Sequence, residues 1–327
     1  MKKIVVLVSI IIIVLTAFSP AEARPYKIGM TQWIGSSPLS VADAKGFWKE
    51  LGLDVSVMVY TSDTDCKSAF KFKKIDTIND MLGNFTGAFL EGDALKIVCA
   101  TDWSNGGDKV IIKKDLDLAK LKGEKIGLYV STPAVTFFLN KYLAANSSKL
   151  ADWQIVELDT TDLAKQFIAG KLKFTVNYDP QAITQEKEGN GKIVATSADF
   201  AGCIPEGFAF REDVLKEIPR EDVVKILKGV IKAIEWLKDE KNLTEFTKIA
   251  NEKTFAGEKY TEADIKGMLA TVKFHGRAEL ADIHKADGST VKFLSELNTF
   301  MKENKLSAKE FKPEEIFDPS YITEALK

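Results

Sequence analysis

Cysteine and histidine are both scarce in this chain, with three of the first and two of the second among 327 residues. Cys66, Cys99 and Cys203 cannot make a disulfide framework: at most one bridge forms and one thiol is left over. Cys99 sits in the apolar run Ile97-Val98-Cys99-Ala100 and reads as a small buried hydrophobe. Cys66 and Cys203 could pair, and the sequence leaves that open. His275 and His284 have no neighbours at metal-ligand spacing, so no metal is expected. There is no G-x-S-x-G elbow, no G-x-x-x-x-G-K phosphate loop and no G-x-G-x-x-G fingerprint. The common hydrolytic and nucleotide chemistries are thereby removed, and neither enzymatic activity nor a cofactor is expected. A basic face is missing too. The formal net charge of −2 argues against a nucleic-acid partner. Internal repeats, low-complexity segments and long Pro/Gly/Ser linkers are absent, and beyond the N-terminus no apolar run approaches the length of a membrane span.

The first 23 residues are unlike the rest. Met1-Lys2-Lys3 is basic, Ile4–Phe18 is almost wholly apolar, and Ser19-Pro20-Ala21-Glu22-Ala23 ends in a small-x-small pattern. That is the pattern of a secretory signal cleaved after Ala23. It predicts a periplasmic mature chain of about 300 residues, enough for one large domain or two medium ones.

Past the signal, strand and helix patterns alternate. Strands are predicted at Tyr26–Met30, Leu53–Tyr60, Lys96–Thr101, Lys125–Val130 and Phe174–Asn177, helices at Leu39–Leu51, Asn84–Glu91 and Thr132–Ala145. This beat predicts an α/β fold with largely parallel sheets. From Glu212 the chain reads as almost entirely helical. There Val223, Ile226, Leu227, Val230, Ile234 and Leu237 form a core-facing stripe. Two short loops, Ser104–Asp108 and Ser197–Gly207, are the candidate joints between domains.

An open parallel sheet binds ligands beyond the carboxyl ends of its strands. The loops there share a composition of hydroxyls, amides, aromatics and acids. One carries Gln32, Trp33, Ser36 and Ser37, and another Asn84 and Thr86. A third carries Asp102, Trp103, Ser104 and Asp108. Ser131 and Thr132 precede a helix, where a hydroxyl and free N–H groups can meet an anion. Tyr178 and Asp179 follow the Phe174–Asn177 strand. Each has a structural reading as a cap, a core residue or a solvated loop residue; the set is stronger than any member because all share one kind of loop.

Several segments then carry a resemblance. They are Ile28-Gly29-x-x-x-Trp33 with Pro38, Ala44-Lys45-Gly46-Phe47-Trp48, Leu51-Gly52-Leu53-x-Val55, Leu121–Gly127 with Ser131-Thr132, and Tyr178-Asp179-Pro180. In order and spacing the chain resembles the solute-binding proteins of ABC importers for nitrate, sulfonates, taurine and bicarbonate, with their thiamine-pyrimidine relatives (NMT1/THI5-like). The resemblance implies a type II periplasmic-binding-protein fold of two α/β lobes that close around a hinge, each a doubly wound, mainly parallel sheet. Lobe 1 would be residues 24–107 and 205–327, including the helical C-terminal part, and lobe 2 residues 108–204. It also implies a monomer that hands a small polar organic solute, zwitterionic, heteroaromatic or sulfonate-like, to an ABC permease in the inner membrane. The fourteen residues named above would contact that solute. A periplasmic sensor is the alternative partner, and an enzyme of the thiamine-pyrimidine synthase type a remote one. Arginine is missing from all these loops, since the chain's only arginines are Arg24, Arg211, Arg220 and Arg277. A bidentate Arg fork is the strong partner for a sulfonate. The aromatic and acidic residues here suit a cationic, zwitterionic or heteroaromatic solute instead.

Overall fold

The computed structural model of the chain describes residues 24–129 and 133–327. The secretory signal expected over residues 1–23 and the Ser131-Thr132 turn lie outside the described residues.

Eleven strands in the described residues form two sheets. The first holds β1 (Tyr26–Thr31), β2 (Val55–Tyr60), β3 (Thr77–Met81), β4 (Leu95–Ser104), β10 (Pro205–Arg211) and β11 (Val272–Phe274), in the order β11-β4-β10-β3-β1-β2. The second holds β5 (Asp108–Lys113), β6 (Lys125–Tyr129), β7 (Gln154–Leu158), β8 (Phe174–Tyr178) and β9 (Gly191–Thr196), in the order β7-β6-β8-β5-β9. The chain passes between the sheets twice, from β4 to β5 and from β9 to β10.

Those crossings qualify the expectation of largely parallel sheets. β1, β2, β3 and β4 share one direction, and so do β6, β7, β8 and β9. β5 and β10 run against them, because each enters its sheet from the opposite sheet. β11 pairs antiparallel to the outer side of β4.

The period of two in the strands and 3.6 in the helices decides the layers. On β10, Phe208 and Phe210 face one layer and Ala209 the other. Phe208 and Phe210 pack with Val223, Ile226, Leu227, Val230 and Ile234 of the helix Arg220–Leu237. This helix also holds the N-terminal segment, for Trp48 donates its indole N–H to the Ile226 carbonyl at 3.0 Å. The predicted helix Leu39–Leu51 is two helices, Ser37–Ala44 and Phe47–Glu50, parted by a turn at Lys45-Gly46. The helical C-terminal part continues to the helix Ser289–Glu303. Its Phe293 and Phe300 stack edge-on against Phe137, which belongs to the helix Ala134–Ala145 that follows β6. All three cysteines are buried and unbridged, which settles the Cys66–Cys203 question in favour of free thiols.

Candidate functional site

The two sheets meet at the ends where β1, β2, β3, β6 and β8 finish and where the reversed strands β5 and β10 begin. A cavity lies there, with about 360 Å³ of space between atoms, part of it open to solvent. β1 contributes Thr31, and the turn after it Trp33 and Ser36. Asp63 opens the helix Asp63–Lys71 that follows β2. Asn79, Asp80 and Met81 close β3, while Glu206 begins β10. From the second sheet come Asp108 at the start of β5, Tyr129 at the end of β6 and Tyr178 at the end of β8.

Part of the lining is aromatic. Trp33 stands edge-on to Tyr178 with centroids 5.9 Å apart, and Tyr178 edge-on to Tyr129 at 5.0 Å. Such pairs prefer this geometry because a positive ring edge meets a negative face. The Trp33 ring reaches its position by lying against Gly107, where a Cβ would come within 2.2 Å of it. Burial pushes both tyrosine hydroxyls well up, so they stay protonated.

Acids stand among these rings. Burial raises Asp63 to about 7, with Lys67 pulling the other way and the charges of Asp80, Asp159 and Asp108 adding to the rise. Burial also raises Asp80, although Lys67 and hydrogen bonds from the Met81 N–H (2.7 Å) and Asn84 Nδ2 (2.8 Å) oppose it. Asp108 rises by burial too, against the Tyr129 hydroxyl that donates to its Oδ1. Glu206 is pushed well up by burial and by the charges of Asp102, Asp108 and Asp80. Among the described residues that line the cavity none is Lys, Arg or His. No three His, Cys, Asp or Glu side chains among the described residues come together as a metal-holding group.

Of the residues selected from sequence, Trp33, Ser36, Asp108 and Tyr178 line the cavity. Ser36 donates to Asn79 Oδ1 at 2.7 Å, and Asn79 Nδ2 donates to the Gly207 carbonyl at 3.1 Å, so the hydroxyl anchors a lining amide. Asn84 stands behind the cavity, holding Asp80. Gln32 is half-buried and Ser37 buried, both outside the lining. Thr86 returns its hydroxyl to the Leu82 carbonyl inside its own helix. Asp102 is fully buried beside β10, its Oδ1 accepting from the Thr101 hydroxyl at 2.7 Å, and burial raises it to about 7. Trp103 turns away from the cavity and packs against His275 at 4.7 Å. Asp179 is paired with Lys109. Ser104 belongs to the crossings: its hydroxyl meets that of Ser197 at 2.7 Å, and the Gly106 N–H donates to the same Ser197 oxygen at 2.7 Å. Ser131 and Thr132 lie outside the described residues.

Asp63, Asp80 and Glu206 are the residues that sequence reasoning passes over. Asp63 and Asp80 each stand at the end of a strand signal, which was the available clue. Glu206 begins a strand whose reversed direction comes from the crossing, and nothing local announces it.

The sequence model of the NMT1-like family matches residues 19–251. A Bacillus subtilis (strain 168) protein named "Putative binding protein YtlA" is 27% identical over 221 residues, covering 64% of this chain and 65% of its own. The chain therefore spans about two thirds of that relative. The "Putative binding protein BAB2_1146" of Brucella abortus (strain 2308) is 25% identical, covering 66% of this chain and 67% of its own. Among solved structures, the ligand-binding component of an ABC-type import system from Staphylococcus aureus superposes with a TM-score of 0.73 at 14% identity, covering 92% of this chain and 98% of that one. The alkanesulfonate-binding protein SsuA from Xanthomonas axonopodis pv. citri does so with a TM-score of 0.68 at 15% identity, covering 91% and 100%. The nitrate-binding protein NrtA from Synechocystis PCC 6803 gives 0.69 at 15% identity, covering 93% and 88%. At such identities these structures speak for the fold alone. Two sheets joined by two crossings, with a cavity at their meeting ends, are the architecture of periplasmic binding proteins, and by its sequence the chain belongs to the NMT1-like family.

Proposed function

We propose that this chain is the solute-binding component of an ABC import system, capturing a small polar organic solute between two lobes and delivering it to a membrane permease. The lobes would be residues 24–107 with 205–327, and residues 108–204, hinged at the crossings that follow β4 and β9. The single observation that supports this most is a shared cavity: both sheets contribute to one site, which neither could complete alone. The names of the relatives, and the import-system proteins with this fold, point the same way. Catalysis has no comparable support from the relatives, whose names are those of binding proteins. A mature periplasmic protein starting at Arg24 is part of this reading.

Thermal melting against a panel of zwitterions, ring compounds, sulfonates, nitrate and amines tests it. A ligand at about 100 times its Kd adds roughly 2.7 kcal/mol, which moves Tm by several degrees in a chain of this size. Solution scattering should show a smaller radius of gyration with the same ligand. A protein that neither stabilises nor contracts with any class would overturn the proposal.

A further inference from the structure

The cavity gathers four carboxyls with no cationic side chain in its described lining, and they come from both sheets. Asp63, Asp80 and Glu206 belong to the first sheet and its helices, while Asp108 opens the second. Asp63 is only 8% exposed and faces the cavity, with Lys67 as the nearby cation that acts on it. Two lysines stand near. The Nζ of Lys109 is taken by Asp179 and the Gly107 carbonyl. Lys67 sits beside Asp63 and Asp80, outside the cavity lining, and is one cation against four carboxyls. The same lining carries the indole of Trp33, the ring of Tyr178 and the Met81 side chain.

We propose that the solute of this cavity is a small organic cation, an ammonium, amidinium or guanidinium group carried on an apolar or ring-shaped body, and that its charge is what lets the two sheets close. This rests on the solute-binding reading. Buried charge is tolerated when paired and costly when alone. Bringing Asp108 onto Asp63, Asp80 and Glu206 without a counter-charge requires these carboxyls to hold protons or repel one another, and a cation removes that cost. The aromatic part of the lining adds cation–π attraction for the same charge. An anion would meet four acids and no Arg or Lys in the lining.

The test uses the mature chain stripped of carried-over ligand by unfolding in urea and refolding. Choline and benzamidinium are compared with their uncharged shape-mates 3,3-dimethylbutan-1-ol and benzamide, alongside agmatine, taurine, nitrate, calcium and zinc. At least one organic cation should raise Tm by several degrees and reduce the radius of gyration, while its neutral mate does neither. Asp63→Asn and Glu206→Gln should each weaken that cation about tenfold or more. The double variant without ligand should also be more contracted than the parent, a readout that survives even if one variant binds nothing. Stabilisation by taurine, nitrate or a metal ion with none from the organic cations overturns the charge assignment and leaves solute binding standing. Silence from every compound overturns both. Equal responses to a cation and its neutral mate also defeat the proposal.

Discussion

Lys109 and Asp179 are each less than a tenth exposed, and the ammonium lies against the carboxylate in the second sheet's share of the site. Removing one partner of a buried pair strands the other, at a cost of about 3 kcal/mol or more. Lys109→Met should therefore lower stability in urea unfolding by about that much, and adding Asp179→Leu should restore most of it. A single variant as stable as the parent would show that the pair contributes nothing. The thiols make a simpler case. Burial pushes Cys66, Cys99 and Cys203 well above the ordinary thiol range. Ellman's reagent should find none of them in the native protein and all three in urea. Residue types in the loops were legible in the sequence, because a hydroxyl, an indole or an acid after a strand is visible there. Roles were less so: Ser104, Thr86 and Asn84 look alike as polar loop residues, yet one ties a crossing, one returns to its helix and one holds a carboxylate.

Among elements, the helices Leu82–Glu91 and Ala134–Ala145 approach each other across the two halves, and Gly83 is where they touch. A Cβ on Gly83 would come within 2.8 Å of the Ala134 Cα and Cβ. Gly83 is the second residue of its helix, so the extra methyl gains less there than the roughly 0.5–1 kcal/mol of a helix interior. If the halves part without ligand as proposed, Gly83→Ala should leave the ligand-free protein about as stable as before while weakening ligand affinity about tenfold by obstructing closure. Unchanged affinity, measured by calorimetric titration, would mean the contact is not part of closing. Local pattern foretold most elements, since strand and helix periods are written in consecutive residues. It did not foretell that β4 runs on through Ser104. Asp102, Trp103 and Ser104 are strand because Glu206 and Pro205 pair on one side and Val272, Lys273 and Phe274 on the other. Those partners lie more than a hundred residues away, beyond what a local pattern can register.

At the scale of the molecule the buried acids make stability depend on pH. Asp63 and Asp102 sit at about 7, and burial lifts Asp80, Asp108, Asp179 and Glu206 as well. A carboxyl raised on folding keeps its proton in the folded chain at a pH where the unfolded chain has lost it, so stability falls as pH rises through that interval. His275 and His284, held at about 4 by burial, act in the opposite sense, but only below the unfolded histidine value near 6.5. Between about pH 6.5 and 8 the carboxyls act without them. Asp63 there faces Asp80, Asp108, Asp159 and Lys67, and Asp102 faces the Thr101 hydroxyl and Glu206. The Tm of the ligand-free protein should fall across that window in calorimetry at constant ionic strength, and a saturating organic cation should flatten the fall. A Tm that climbs instead would contradict the burial of these acids. One feature of the crossings bears on how such chemistry becomes movement. The Ser197 oxygen on the return passage meets both the Ser104 hydroxyl and the Gly106 N–H of the outward one. The two crossings are thus tied to each other at one hydroxyl. If the halves close as proposed, this shared point would act as the spine of a book, and ligands of different shape would all be reported outward as one angle.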